Sequence, residues 1–189
     1  MSSAAEDLLA GEVIRPLRRE EYEQLVELGA FDDEQVELLY GRIVEMPPQG
    51  PAHDGTIERL SERLMRALAL PERAAVRVQL SFLGPSSVPI PDLAVVPRDD
   101  HRAKHPDRAH LIVEVSRTTL RKDRGVKARL YAECGVPEYW VMNVRDGLVE
   151  VHTEPAGDHY ARVQPYRRGD RIRLVDFPDV EIAVDDLLG

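Results

Sequence analysis

Two short, unbroken apolar runs, Leu93-Ala94-Val95-Val96 and Leu111-Ile112-Val113, constrain the fold of this chain more than any other feature. A strand with one wetted face alternates apolar and polar residues. A run without a polar position is covered on both faces, and these runs are too short for helices, so they read as central strands of a layered sheet. A chain of 189 residues suits one such core. The composition, 43% hydrophobic and 31% charged, is ordinary for a globular domain and excludes disorder, collagen and coiled coil.

The flanking pattern fills in a strand-rich α/β domain with two principal helices. Residues 1–13 read as an amino-terminal tail and 14–189 as the domain. Arg18 to Leu28 carries a short helical pattern closed by Gly29. Val36 to Met46 reads as a hairpin around Tyr40-Gly41, ended by Pro47, Pro48 and Pro51. From about Asp54 to Pro71, Ile57, Leu60, Leu64 and Leu68 fall at helical spacing, and Val76 to Phe82 alternates as a half-buried strand. Between Asp123 and Cys134, Val126, Leu130 and Cys134 mark one helical face, stopped by Gly135 and Pro137. A strand over Tyr139 to Val144 follows. Asp146-Gly147 predicts a further hairpin turn, Gly157-Asp158 and Gly169-Asp170 punctuate two more β-rich runs, and Asp185 to Leu188 reads as one helical turn.

Charge and cysteine usage narrow the function. With 25 Lys+Arg against 34 Asp+Glu the net charge is -9, so bulk charge does not carry the chain to nucleic acid or anionic membrane. The single cysteine, Cys134, allows neither an internal disulfide nor a cysteine zinc cluster and reads as a buried helix-end thiol. Residues 1–10 are acidic where a signal peptide is basic, and no apolar run approaches the roughly 18 residues of a membrane span. A soluble cytoplasmic protein is expected.

Two carboxylates border the apolar runs: Asp92 at the start of the first and Glu114 at the end of the second. A carboxylate at the rim of an apolar sheet needs a cation, a set of donors or a shifted pKa, and two that converge raise each other's pKa unless a metal neutralises them. Oxygen ligands would favour Mg²⁺ or Mn²⁺. The pattern is met equally well if Asp92 turns the chain after Pro91 and Glu114 pairs with an arginine.

The succession Pro91-Asp92, Glu114-Val115-Ser116, Asp123, Lys127, Tyr131 and Gly135-Val136-Pro137-Glu138-Tyr139-Trp140 resembles the Uma-two family of endonucleases, within the restriction-endonuclease-like PD-(D/E)XK superfamily. The hairpin before Met46 and His53 resemble its amino-terminal part. The resemblance implies a restriction-endonuclease-like core, with a central mixed β-sheet flanked by helices and extra amino-terminal and carboxy-terminal β-hairpins. It further implies a Mg²⁺ or Mn²⁺ site built from Asp92, Glu114 and the Val115 carbonyl, with Glu37 as a supplementary carboxylate, and DNA as substrate. The signature lysine two places after Glu114 is replaced by Ser116, and Lys127 is the implied substitute.

Lys127 lies beside Val126 at the border of the buried helical face, from which a long amine can reach the strand ends, although a solvated helix lysine fits the same place. Glu37 equally suits a salt pair. His53 reads either as a metal or phosphate contact or as a helix-end contact. Asp123 reads as the start of the Lys127 helix, favouring its dipole, and Tyr131 and Trp140 as core or rim aromatics.

From Arg98 to Arg129, ten Lys/Arg stand against five Asp/Glu, a local charge of +5 that leaves -14 for the rest. Arg117, Arg121, Lys122 and Arg124 are the candidate phosphate contacts, whose affinity would weaken steeply with salt. The expected activity is metal-dependent hydrolysis of DNA phosphodiester bonds. The alternatives are a non-catalytic nucleic-acid-binding or regulatory module, favoured by Ser116, and a hydrolase of small phosphate esters. A homodimer would suit cutting of two antiparallel strands.

Overall fold

The computed structural model describes residues 12–68, 74–98 and 104–188. The tail expected over residues 1–13 falls almost wholly outside the described residues, as do Pro71 and Arg102. Six strands form the central sheet: β3 (Ala74–Val78), β4 (Leu93–Pro97), β5 (Leu111–Ser116), β6 (Glu138–Asn143), β7 (Leu148–Pro155) and β8 (Tyr160–Arg167), in that spatial order. Only β5 and β6 run parallel. A parallel pair needs a crossover, and here it is helical: α3 (Leu120–Lys122), a π-helical turn (Asp123–Lys127) and α4 (Ala128–Glu133).

The two apolar runs are wholly buried in β4 and β5, as expected. Their side chains alternate between two cores. Leu93, Val95, Leu111 and Val113 meet helix α2 (Pro51–Leu68) and the carboxy-terminal pair β9 (Arg171–Arg173) and β10 (Glu181–Ala183) with α5 (Val184–Leu188). Ala94, Val96 and Ile112 meet α4. Leu60 and Leu64 of α2 keep no exposed surface, a burial that stabilises by about 1.5–3 kcal/mol each.

Outside the sheet, helix α1 (Arg19–Glu27) packs Tyr22 against the hairpin of β1 (Val36–Leu39) and β2 (Arg42–Glu45). Tyr40 and Gly41 both take positive φ, 49° and 73°, in the two-residue loop between Leu39 and Arg42, as a twist-matched hairpin turn requires. A side chain at Gly41 would also stand 2.3 Å from Pro16 Cβ, so the position admits glycine alone. The hairpin docks on the rest through a bridge of Leu38 to Val88.

Four local expectations are corrected. The strand expected over Val76 to Phe82 ends at Val78, because Gln79 turns into the left-handed region (φ 48°) and donates its N–H to Asp92 O at 3.1 Å. Helix α2 starts at Pro51, which lacks only a donor that the first turn leaves unpaired. His53 therefore lies in the first turn rather than ahead of it. Asp123 does not begin the second helix, since Thr119 holds the N-cap position. Finally, the π turn, in which Ala128 N–H bonds Asp123 O, widens the helix by a residue, leaving Val126 half-buried while Lys127 is 2% exposed.

Glu138 ties the carboxy-terminal segment to the sheet, accepting Trp140 Nε1 at 2.7 Å and Val175 N–H at 2.8 Å. Burial pushes its carboxyl up to about 7, against the donors that favour the ionised form. Because the folded value lies above the unfolded one, stability is greatest below about pH 4.5 and is lost as pH rises through about 7, by about 3 kcal/mol for this group. Glu138→Gln should remove that decline: urea unfolding at pH 4.5 and pH 8 is expected to show the variant gaining about 3 kcal/mol relative to wild type across the interval. A constant difference would contradict it.

Candidate active site

The antiparallel register sets Leu93 opposite Val113. One step further along, Asp92 comes opposite Glu114; the Glu114 carboxylate meets Lys127 and Tyr131 of the crossover, and that of Asp92 meets His53 of α2. Asp92 lies where β4 begins, so its side chain takes over from backbone pairing: Val115 N–H donates to Oδ2 at 2.7 Å. His53 Nε2, from the first turn of α2, stands 3.2 Å from the same oxygen, and Gln49 Nε2 donates to Oδ1 at 3.1 Å. The Asp92 hydrogen bond raises the pKa of His53 above its ordinary value, against burial.

The crossover supplies the other wall. Asp123, Lys127 and Tyr131, spaced by four, all face inward through the π turn. Lys127 Nζ lies 2.8 Å from Glu114 Oε1 and 3.1 Å from Glu37 Oε2, and Tyr131 OH donates to Glu114 Oε1 at 2.9 Å. Among the described residues Glu114 Oε2 accepts no hydrogen bond. Burial pushes the Glu114 carboxyl well up, the Lys127 charge opposes this, and Asp92, Asp123 and Glu37 add to the rise. Burial lowers Lys127, but Glu114 and Glu37 outweigh it, so the amine stays an ammonium. Asp123, raised by burial, accepts Thr119 Oγ1 at 2.6 Å.

Asp92, Glu114, Val115, His53, Asp123 and Lys127 line one cavity of about 670 Å³, together with Gln49, Arg117 and Lys122. A second hollow, of about 700 Å³, shares Pro47, Thr118, Thr119 and Lys122 with it and adds Arg121. Ser116 is fully buried, its Oγ 3.2 Å from Thr119 Oγ1, and Glu37 sits behind the lining. Arg124 joins neither hollow; its guanidinium pairs with Glu150 on β7 through two hydrogen bonds, Nε at 2.8 Å. Gln49 and Tyr131 were not foreseen as site residues. Tyr131 carried a signal, its spacing of four from Lys127; Gln49, in a proline-rich stretch, carried none.

Among the described residues no three His, Cys, Asp or Glu stand together as a metal-ligating group. Asp92 and Glu114 nevertheless fit Mg²⁺, a hard cation that is held by one or two carboxylates and keeps several waters.

The model of the Uma2 family, described as "Putative restriction endonuclease", matches residues 19–185. The chain belongs to the Uma2 family. Its fold is similar to that of a crystal structure from Anabaena variabilis ATCC 29413, described as a "putative nuclease belonging to DUF820", with a TM-score of 0.70 at 16% identity, covering 92% of this chain and 98% of that one. Nothing among curated proteins matches. The restriction-endonuclease-like class expected from the sequence is thus confirmed, and Uma2 membership supports a nuclease. No helix among the described residues is long and apolar enough to cross a membrane.

Proposed function

We propose that this Uma2 chain is a Mg²⁺- or Mn²⁺-dependent endonuclease that hydrolyses DNA phosphodiester bonds. The observation that carries the reading is the convergence of Asp92, Glu114 and the Lys127 ammonium in one cavity with Arg117 and Lys122 in its lining. Asp92 and Glu114, with the Val115 carbonyl, would hold the metal, which when bound lowers the pKa of water and stabilises charge on the phosphoryl group. Lys127 orients a water or neutralises a phosphate oxygen, Tyr131 and Val115 N–H hold the two carboxylates in place, and His53 packs its Nε2 against Asp92 Oδ2. Supercoiled plasmid incubated with the protein and Mg²⁺, Mn²⁺ or EDTA tests the reading. Nicking or linearisation with metal, absent with EDTA and in Asp92→Ala, is expected; binding without cleavage would favour the non-catalytic module, and cleavage of model esters alone the small-ester hydrolase.

The two arginines separate the DNA path from the rest of the surface. Arg117→Ala, in the cavity lining, is expected to flatten the plot of log affinity against log salt by about one unit, the share of one phosphate contact. Arg124→Ala, whose guanidinium is bound to Glu150, should leave the slope unchanged. Filter binding over a salt series reads both, and the opposite ranking would move the DNA off this cavity.

A further inference from the structure

Glu37 belongs to the amino-terminal hairpin, outside the central sheet, yet its carboxylate is wholly buried behind the cavity. Three donors reach it: Lys122 Nζ at 2.8 Å on Oε1, and Lys127 Nζ at 3.1 Å and Ile90 N–H at 3.2 Å on Oε2. Burial pushes this carboxyl up, but Lys127 and Lys122 outweigh it and hold it below its ordinary value, so it is charged at neutral pH. Ile90 lies two residues before Asp92. One carboxylate therefore registers the hairpin, the entry to β4 and the helical crossover against one another.

An ammonium carries three N–H donors in fixed tetrahedral directions. At Lys127 one meets Glu114 and another meets Glu37, which sets the third; Lys127 itself lines the cavity. With Glu114 as its sole anchor the amine would rotate about a single contact. We propose that Glu37 is a positioning residue that acts through Lys127, aiming the remaining N–H of the ammonium into the cavity. This rests on the nuclease reading of the cavity. It differs from the metal-ligand role that the family resemblance implies for Glu37, because Glu37, unlike Asp92 and Glu114, does not line the cavity.

Glu37→Gln removes the charge at nearly constant size and keeps an acceptor for Ile90. Plasmid cleavage is expected to lose about 10-fold to 100-fold in kcat, the range for partners that orient a site's own groups, with KM little changed, while Glu37→Asp recovers part of the loss. In a Lys127→Met background the same Glu37→Gln change should cost nothing further in kcat. An equal fold loss in both backgrounds would overturn the proposal. A second readout needs no activity: in metal-free protein labelled with ¹⁵N-lysine, the Lys127 ammonium signal, identified by its loss in Lys127→Met, should be slow to exchange in wild type and broadened in Glu37→Gln. Thermal melts establish that the variant is folded, and Glu37→Asp, read the same way, replaces it if it is not. A signal that stays sharp overturns the proposal. Should the wild type cleave nothing, the nuclease reading fails, and the ammonium signal still decides the role of Glu37.

Discussion

Asp92→Ala is expected to abolish Mn²⁺ binding and to lower plasmid cleavage by more than about 10³-fold, beyond the effect of deleting one electrostatic donor. Two opposing terms decide what happens to the fold. Removing Asp92 relieves its repulsion of Glu114, whose carboxyl is raised in part by that charge. It also strands Val115 N–H, which donates to Asp92 Oδ2 at 2.7 Å inside a buried strand. A buried donor left without a partner costs about 1–3 kcal/mol, so Asp92→Ala should be destabilised rather than stabilised. Asp92→Asn keeps an acceptor for Val115 and should retain the wild-type melting temperature within a few degrees while still losing the metal. Calorimetric titration with Mn²⁺ and a thermal melt on both variants check this. Unchanged Mn²⁺ affinity in both would place the metal elsewhere.

Asp92 and Glu114 were legible because the apolar runs fix β4 and β5 and the two carboxylates border those runs; Asp92 does lie where β4 begins, whereas β5 continues past Glu114 to Ser116. The family's order of motifs, with the Uma2 match over residues 19–185, made the fold equally legible. Lys127 was half legible. Apolar spacing marked the helix but put Val126 inward and Lys127 at the border, since periodicity assumes 3.6 residues per turn throughout. The π turn at Asp123–Lys127 is a matter of backbone hydrogen bonding and leaves no trace in the apolar pattern. Glu37 was read correctly onto a hairpin, but all four residues of β1 are buried, against the alternation a surface hairpin would show. Its partners, Lys122 and Lys127, lie 85 and 90 positions away, a distance across which local pattern says nothing. Gln49 was lost for a different reason: Pro47, Pro48 and Pro51 signal the end of a hairpin, whereas the chain uses Pro51 to open α2 and hangs Gln49 over Asp92.

Lys127→Met is expected to lower cleavage by roughly 10²-fold to 10³-fold, the effect of removing one preorganised charge from a site where charge develops. At a helix border the substitution would spare the fold, since Met keeps an unbranched stem and similar helix propensity. The geometry predicts otherwise, because Lys127 is 2% exposed and its ammonium contacts Glu114 and Glu37, both nearly or fully buried. Removing one partner of a buried ion pair leaves uncompensated charge and costs about 3–5 kcal/mol. The rate loss must therefore be separated from unfolding. Adding Glu37→Gln to Lys127→Met neutralises one of the stranded carboxylates, so the double variant should regain part of the stability in urea unfolding and none of the cleavage. Ser116→Lys tests the cation itself: position 116 lies on the same face of β5 as Glu114, two residues on, and faces Thr119 and the start of the crossover. An ammonium there should restore part of the cleavage to Lys127→Met, a recovery that stability alone cannot produce. If Lys127→Met, folded at the assay temperature, cleaves as fast as wild type, the catalytic cation is not Lys127, and Arg117 or Lys122 in the same cavity becomes the candidate.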